Sequence, residues 1–388
     1  MTNLTVKQPH LLLLVNDPHF FLSHRLPLVI AAQEARYRVT VATGDGPRVA
    51  DICALSIDHR IIPITRGGTN PFKELATLLA IARLVRREQP DILHLVTIKP
   101  VLYGGIAARL LGVPGVVSAI SGMGYLFTEG RSGLLQRLSR LMYRLALRHP
   151  HGRVIVQNEA DRDALRAMGA LREGADVLIP GSGVDLDVYS PSPIPSGDSP
   201  IVLLPARMLW DKGVGEFVEA ARQLLEQGVK ARFVLAGPYD PHNPAAVPEG
   251  QLQTWQAQGP VEWWGQQEDM PRVLAAASLV VLPSYYREGV PKALLEALAC
   301  GRPVVTTDAP GCRDVVEPGK NGELIPVRDA AALARAIGEL LSDRSRLEAM
   351  GRYGRLKAER EFGVERVVEA HLAIYRSLER RESGVCDE

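Results

Sequence analysis

Short aliphatic runs alternate with longer amphipathic stretches along almost the whole chain, and few architectures accept that rhythm. In the first half the runs are His10–Val15, Arg38–Thr43, Asp91–Leu95, Gly115–Ala119, Arg153–Gln157 and Asp176–Ile179. Nearly continuous apolar runs suit parallel strands covered on both faces. Helical patterns such as Pro71–Arg87 and Ser132–Arg148 lie between them, which predicts βαβ units in an open sheet.

The rhythm breaks once. Ser190–Pro200 is dense in Pro, Ser and Gly and reads as an interdomain linker. It restarts with Ile201–Ala206, Ala231–Ala236, Val261–Trp264, Leu279–Pro283, Pro303–Thr306 and Glu323–Ile325, and ends in one more amphipathic stretch, Val364–Arg381. A chain of 388 residues exceeds one ordinary core, and two domains of roughly 150–200 residues are the natural division. The expectation is an α/β protein with two sheets in tandem: a domain over 1–188, a second over 189–363, and a terminal helix in 364–388. Ligands of such sheets bind beyond the carboxyl ends of the strands, so a cleft between the two is expected to hold the site.

Composition narrows the function. Lys and Arg number 45 against 44 Asp and Glu, so no global charge favours nucleic acid. Cys53, Cys300, Cys312 and Cys386 show no ligand or framework spacing, which fits a reducing compartment and no structural zinc. No apolar run approaches the roughly 20 residues that span a bilayer. The early Leu11–Val15 run is too short for a signal sequence and reads as a buried strand. A cytoplasmic location follows as the expectation, with the inner face of the plasma membrane left open to a peripheral protein.

The segment most suggestive of chemistry runs from Arg287 to Gly301, after the strand Leu279–Pro283. Pro291 suits a first helical turn and Gly301 a stop. Exposed N–H groups of Gly289 and Val290 at the positive helix end would form an anion site. Glu288 precedes the helix and Glu296 lies inside it, so two carboxylates could accept hydroxyls from the ends of an extended polar ligand. The alternative is a solvated helix with two ordinary glutamates. Arg207 and Lys212, five residues apart after the strand Ile201–Ala206 and followed by Gly213, suit a diphosphate; solvated loop cations are the alternative there. Cations for phosphate and carboxylates for hydroxyls together match a nucleotide sugar.

The residues PARMLWDKG, VLPSYYREGVPKALLEALACGRPVV and VLIPGSGVD resemble the retaining glycosyltransferase family 4 group. The resemblance covers nearly the whole chain and implies the GT-B fold, two Rossmann-like domains facing each other across a cleft. It implies that Arg207 and Lys212 hold the donor diphosphate and stabilise charge on the departing nucleotide. Glu288 would then contact the donor sugar and Glu296 the ribose, with backbone N–H groups of Gly289, Val290 and Pro291 completing the site. It also implies a last helix crossing back onto the N-terminal domain, a UDP-linked donor, and no metal or other cofactor.

The N-terminal half offers weaker signals. His19–Leu28, His94–Pro100 and Ser121–Tyr125 sit where cleft loops belong, making His24, Arg25, His94, Lys99, Gly122 and Tyr125 acceptor-side candidates. A lone histidine is more often a structural hydrogen-bonder. Together the segments resemble the family 4 subgroup that adds an N-acetylhexosamine to a sugar on undecaprenyl diphosphate, as N-acetylgalactosaminyltransferases do. Where many family members place a histidine, this chain has Ser121-Gly122-Met123-Gly124, so that residue does not carry over. Arg131–Arg153 holds six arginines, two histidines and no acid, with Leu134, Leu138, Leu141 and Leu145 on an apolar stripe. Such a helix can lie on an anionic leaflet; alternatively the leucines face the core.

Asp185-Leu186-Asp187 and Asp161-Arg162-Asp163 match a metal-binding D-x-D pattern, but sit in a loop and a helix that argue against that use. Gly122-Met123-Gly124 begins a dinucleotide fingerprint that fails at Phe127. The rival enzymes are a nucleotide-sugar epimerase of the same fold and a glycoside hydrolase, whose carboxylates would face each other across the bond. The non-enzymatic rival is a sugar-nucleotide binding protein.

Overall fold

A computed structural model describes residues 8–64, 70–123, 133–241 and 243–379, with the backbone alone over 133–136. The chain forms two compact units, Met1–Ser182 with Arg366–Glu388, and Gly183–Glu365.

The first unit carries strands β1 (His10–Leu14), β2 (Arg38–Thr43), β3 (Asp58–Ile61), β4 (Ile92–Val96), β5 (Gly115–Ile120), β6 (Gly152–Val156) and β7 (Asp176–Leu178). Its helices are α1 (Pro18–His24), α2 (Leu26–Glu34), α3 (Val49–Ala54), α4 (Pro71–Glu88), α5 (Ile98–Leu111), α6 (Gly133–Leu147) and α7 (Glu159–Ala167). The second unit carries β8 (Ile201–Pro205), β9 (Arg232–Ala236), β10 (Glu262–Gly265), β11 (Leu279–Leu282), β12 (Val304–Thr307) and β13 (Gly322–Ile325). Its helices are α8 (Val214–Glu226), α9 (Glu249–Gln258), α10 (Met270–Ala276), α11 (Lys292–Ala299), α12 (Ala330–Ser342) and α13 (Arg344–Lys357), and α14 (Val364–Glu379) leads out of it.

Both sheets are parallel, in the orders β3-β2-β1-β4-β5-β6-β7 and β10-β9-β8-β11-β12-β13. Continuous apolar strands make this possible. In β1, Leu12 and Leu14 enter one core while Leu11 and Leu13 enter the other, so each face of the sheet is covered. Each strand expected from the apolar runs is present. The expected set lacked β3, whose sequence DHRI is polar because it is an edge strand with half-exposed side chains. In each sheet the strand order reverses direction once, between β1 and β4 and between β8 and β11, and such switch points open a crevice at the carboxyl ends.

The expected domain boundary at residue 188 lies at Ser182 instead. Val184 pairs with Gly363 in a parallel bridge, and Gly183, at φ 78°, packs so tightly that a Cβ would meet Val364 Cα at 2.6 Å. Nor is Ser190–Pro200 a free linker. Its prolines leave carbonyls without matching N–H groups, and arginines supply the donors. Arg302 donates to Ser192 O at 3.0 Å, and Arg344 to Ile194 O at 2.8 Å and Pro195 O at 3.0 Å. From Arg366 onward α14 belongs to the first unit, where Val367, Leu372, Ile374, Tyr375 and Leu378 join the core that holds Leu11 and Leu13.

Candidate active site

β8 and β11 flank the second switch point, and the loops leaving their carboxyl ends are locked together. After Arg207 the chain makes a short 3-10 turn, Trp210–Lys212, that ends on Gly213 at φ 76°. A Cβ on Gly213 would lie 2.2 Å from Pro283 O, so only glycine lets this loop seat on the end of β11. The Asp211 carbonyl then accepts the backbone N–H groups of Tyr285 and Tyr286 at 3.1 and 3.2 Å, and Ser284 Oγ at 3.1 Å.

These bonds bring the two sequence motifs into contact. Lys212 Nζ donates to Glu288 Oε1 in an ion pair, and Ser284 Oγ, whose one proton serves either the Asp211 carbonyl or this carboxylate, lies 3.0 Å from the same oxygen. Lys212 Nζ also lies 5.7 Å from the Tyr286 ring centre, within cation–π range. Arg207 NH1 donates to Asp240 Oδ2 at 2.8 Å. Glu296, buried on α11, pairs with Lys292 at 2.9 Å. The Asp211 carboxyl is raised in pKa, first by burial, against the pull of Lys212; its Oδ1 is buried without a hydrogen bond.

Gly289, Val290 and Pro291 differ from the expectation of an exposed helix end. All three are buried, and Val290 belongs to the core of the second unit. α11 starts at Lys292 with Pro291 as its cap. The loop before it is pinned from behind by Gly311, where a Cβ would meet Gly289 O at 2.0 Å.

The N-terminal candidates divide sharply. His94 lies inside β4 and Arg25 between α1 and α2, and both are buried, at 0% and 2% exposure. His94 Nδ1 is 2.6 Å from the Tyr375 hydroxyl, and its ring stacks 5.6 Å from that of His371. Both partners come from α14. Arg25 and His94 are therefore internal residues under the last helix, and the acceptor-side expectation fails for them on burial. Burial pushes the Arg25 guanidinium down to about 10. Burial, and then Arg25, lowers His371 to about 3, and His94 shifts the same way. His24 is partly exposed, stacked 4.1 Å from Phe20. Lys99, at the start of α5, pairs with Glu74 at 2.7 Å. Gly122 is buried at φ 97°. Tyr125 lies outside the described residues, as does Arg131.

On α6, Tyr143, Ala146 and Leu147 face the core. Leu138 and Leu141 are each 52% exposed, beside the exposed Arg137 and Arg140, so these leucines do not form the buried face. The D-x-D pairs have structural uses: Asp185 Oδ1 accepts the Asp187 and Val188 N–H groups in a turn, and Asp161 is fully buried in α7. Among the described residues no helix is long and apolar enough to cross a membrane.

Two family descriptions match the chain along these same halves. "Glycosyl transferase 4-like" matches residues 10–158 and "Glycosyl transferases group 1" matches residues 199–343. The chain belongs to the family 4-type glycosyltransferases. It is 28% identical over 345 residues to the N,N'-diacetylbacillosaminyl-diphospho-undecaprenol alpha-1,3-N-acetylgalactosaminyltransferase of Campylobacter jejuni, covering 83% of this chain and 89% of the relative. It is 26% identical over 303 residues to the UDP-Gal:alpha-D-GlcNAc-diphosphoundecaprenol alpha-1,3-galactosyltransferase of Escherichia coli, covering 74% and 76%. Among solved structures, Anabaena Alr3699/HepE in complex with UDP and glucose matches with a TM-score of 0.75 at 21% identity, over 95% of this chain and 99% of that one. At that identity the likeness speaks for the fold, and the fold is GT-B.

Sequence reasoning missed three polar groups of this glycosyltransferase's second-unit site. Asp211 stood between the two cations and carried a visible charge, but its burial depends on the lock between the loops. Ser284 follows the strand β11 in sequence, yet its bond to Glu288 needs the folded loop. Asp240 lies beyond the neighbouring strand β9, and no spacing linked it to Arg207.

Proposed function

We propose that this glycosyltransferase moves an N-acetylhexosamine from a UDP-sugar to a sugar carried on undecaprenyl diphosphate, with retention at the anomeric carbon. The observation that carries the reading is the meeting of Lys212 and Glu288 at the switch point of the second sheet. In this pair the two charges neutralise each other. A donor exchanges that pair for two better ones, with diphosphate oxygens taking Lys212 and Arg207 and sugar hydroxyls taking Glu288. Glu296, held by Lys292, accepts the ribose hydroxyls, and the backbone around Gly289–Pro291 adds N–H donors. The two cations supply the charge that a metal supplies in other transferases.

Two relatives support the acceptor and the stereochemistry. Both are named for undecaprenyl-diphosphate-linked sugars and for alpha-1,3 products, and an α-linked UDP donor giving an α product is retention. The departing phosphate then takes the acceptor hydroxyl's proton, so no side-chain base is needed.

A lipid-borne acceptor calls for a membrane surface, and the layer α4–α5–α6 suits one. It carries four basic side chains in α4, two in α5 and three in α6, against the acids Glu74 and Glu88, both already ion-paired. Exposed Phe72, Leu75, Leu138 and Leu141 stand among them. Basic groups beside exposed apolar ones fit an anionic leaflet.

The test is transfer by purified protein from a panel of UDP-sugars to undecaprenyl-diphosphate-linked N-acetylglucosamine, with Glu288→Ala alongside. Product that forms only with acceptor, and falls at least a hundredfold in the variant, supports the reading. Donor turnover without acceptor would favour an epimerase. Failure of wild type to bind any nucleotide sugar would sink it.

A further inference from the structure

Asp240 sits in the loop after β9, and the backbone fixes it there. The Met208 N–H donates to Pro238 O at 3.0 Å, Trp210 N–H to Ala245 O at 2.8 Å, and Val247 N–H to Met208 O at 2.9 Å. Leu209 and Ala246 form an antiparallel bridge. At the base of the loop, Gly237 packs so closely that a Cβ would lie 1.8 Å from Ala206 O, and Trp263 Nε1 donates to the Gly237 carbonyl at 3.0 Å. Asn243 Oδ1 takes the Ala245 N–H at 3.0 Å. The described ends of the loop after β9 are thus stapled to the Arg207 loop.

The carboxylate so placed takes one N–H of the Arg207 guanidinium, at 2.8 Å, in the one ion pair Arg207 makes among the described residues. A guanidinium carries five N–H donors in a rigid plane, so a single end-on contact fixes its direction and leaves the other edge for a ligand. Yet an acid beside a diphosphate site also repels the ligand. An acid on a loop whose two ends are held by these backbone bonds works against binding unless it orients the cation.

We propose that Asp240 is a positioning residue for Arg207, aiming the guanidinium at the donor diphosphate and, by its charge, weakening the hold on the nucleoside diphosphate product. This rests on the donor reading of Arg207 given above. Asn at this position keeps an oxygen for the Arg207 N–H and loses the charge; Ala loses both. The two functions therefore separate by substitution.

The experiment combines UDP titration by calorimetry, which needs no acceptor, with transfer kinetics of Asp240→Asn, Asp240→Ala, Arg207→Ala and the Arg207→Ala/Asp240→Ala double variant. Asp240→Asn is expected to keep kcat within about threefold and bind UDP several-fold more tightly. Asp240→Ala is expected to lose about tenfold in kcat, and the double variant to be no worse than Arg207→Ala alone. An Asp240→Ala enzyme with unchanged kcat and UDP affinity would overturn the inference while leaving the donor reading intact. So would a loss that adds fully to that of Arg207→Ala, the mark of a loop staple alone. Wild type that binds no UDP would overturn both.

Discussion

The two units share one parallel strand order, extended by β7 in the first, and place the polar residues of their candidate sites differently. In the second unit Lys212, Glu288, Arg207 and Asp240 lie past the carboxyl ends of β8, β9 and β11, in ion pairs that keep some exposure. In the first unit His94 lies within β4, and a residue inside a parallel strand must project onto one covered face. There it meets His371 and Tyr375 of α14, and Arg25 is buried close by. Position relative to the strand end separates His94, inside its strand and part of the helix packing, from the second-unit charges one loop further on. Arg25, past the end of β1, is buried all the same, close to His371 and Tyr375 of α14.

The largest expected effect breaks the comparison at its functional end. Lys212→Ala should lower kcat/KM by about two to three orders of magnitude, the scale of losing one preorganised charge at a transition state. The melting temperature should move little, because the lysine serves a ligand rather than the core. A large fall in stability with a small fall in rate would mean that the second unit's charges are structural like those of the first.

Acid should act on the first unit. His371 is held neutral, down to about 3, by burial and by the nearby Arg25, while in the unfolded chain it titrates near 6.5. Below pH 6.5 the unfolded state binds the proton that the folded state refuses, so stability falls with pH until about pH 3. At pH 5 this one group costs about 2 kcal/mol, and His94 adds in the same direction. Trp210, Trp255, Trp263 and Trp264 all lie in the second unit, and they are the chain's four tryptophans. Between pH 7 and pH 5, thermal melts followed by circular dichroism should therefore shift downward more than those followed by tryptophan fluorescence. His371→Phe should flatten that difference; equal shifts by both probes would refute it.

A smaller effect concerns the outer surface of the first unit. Replacing Arg137 and Arg140 by Glu should weaken co-sedimentation with phosphatidylglycerol vesicles by about thirtyfold or more, at roughly 1 kcal/mol per basic group. Binding to phosphatidylcholine should be weak for both proteins. Unchanged vesicle binding would leave α6 as an ordinary solvated helix.

Much of this contrast was legible in the sequence and part was not. Apolar runs such as Leu11–Val15 located the strands because burial on both faces demands them, and the polar edge strand Asp58–Ile61 escaped for the converse reason. That Lys212 and Glu288 belong to one site could be anticipated, since both follow strand ends, and they meet in an ion pair, while Arg207 pairs with Asp240 instead. Asp240 could not, because hydrogen bonds between two distant loops place it. The burial of Arg25 and His94 was equally hidden. It depends on α14, whose residues 367–378 return to a sheet that begins at His10. For Leu138 and Leu141 the sequence left two alternatives, a leaflet or the core, and the core alternative falls because α6 buries Tyr143, Ala146 and Leu147 instead.

The smallest effect sharpens the comparison most, because Lys99 is a first-unit candidate that lies past a strand end. It follows β4 by three residues, opens α5, and pairs with Glu74, which also accepts the Tyr103 hydroxyl at 2.7 Å. By that position it should behave like Lys212 and unlike His94. Its partly exposed pair is worth no more than about 1 kcal/mol, and Tyr103 still holds Glu74 when the lysine is gone. Lys99→Gln should therefore melt within a few degrees of wild type while raising the acceptor KM about threefold to tenfold, with the donor KM unchanged. A rise in donor KM instead, or no kinetic change at all, would show that a place beyond the strand end does not suffice in the first unit.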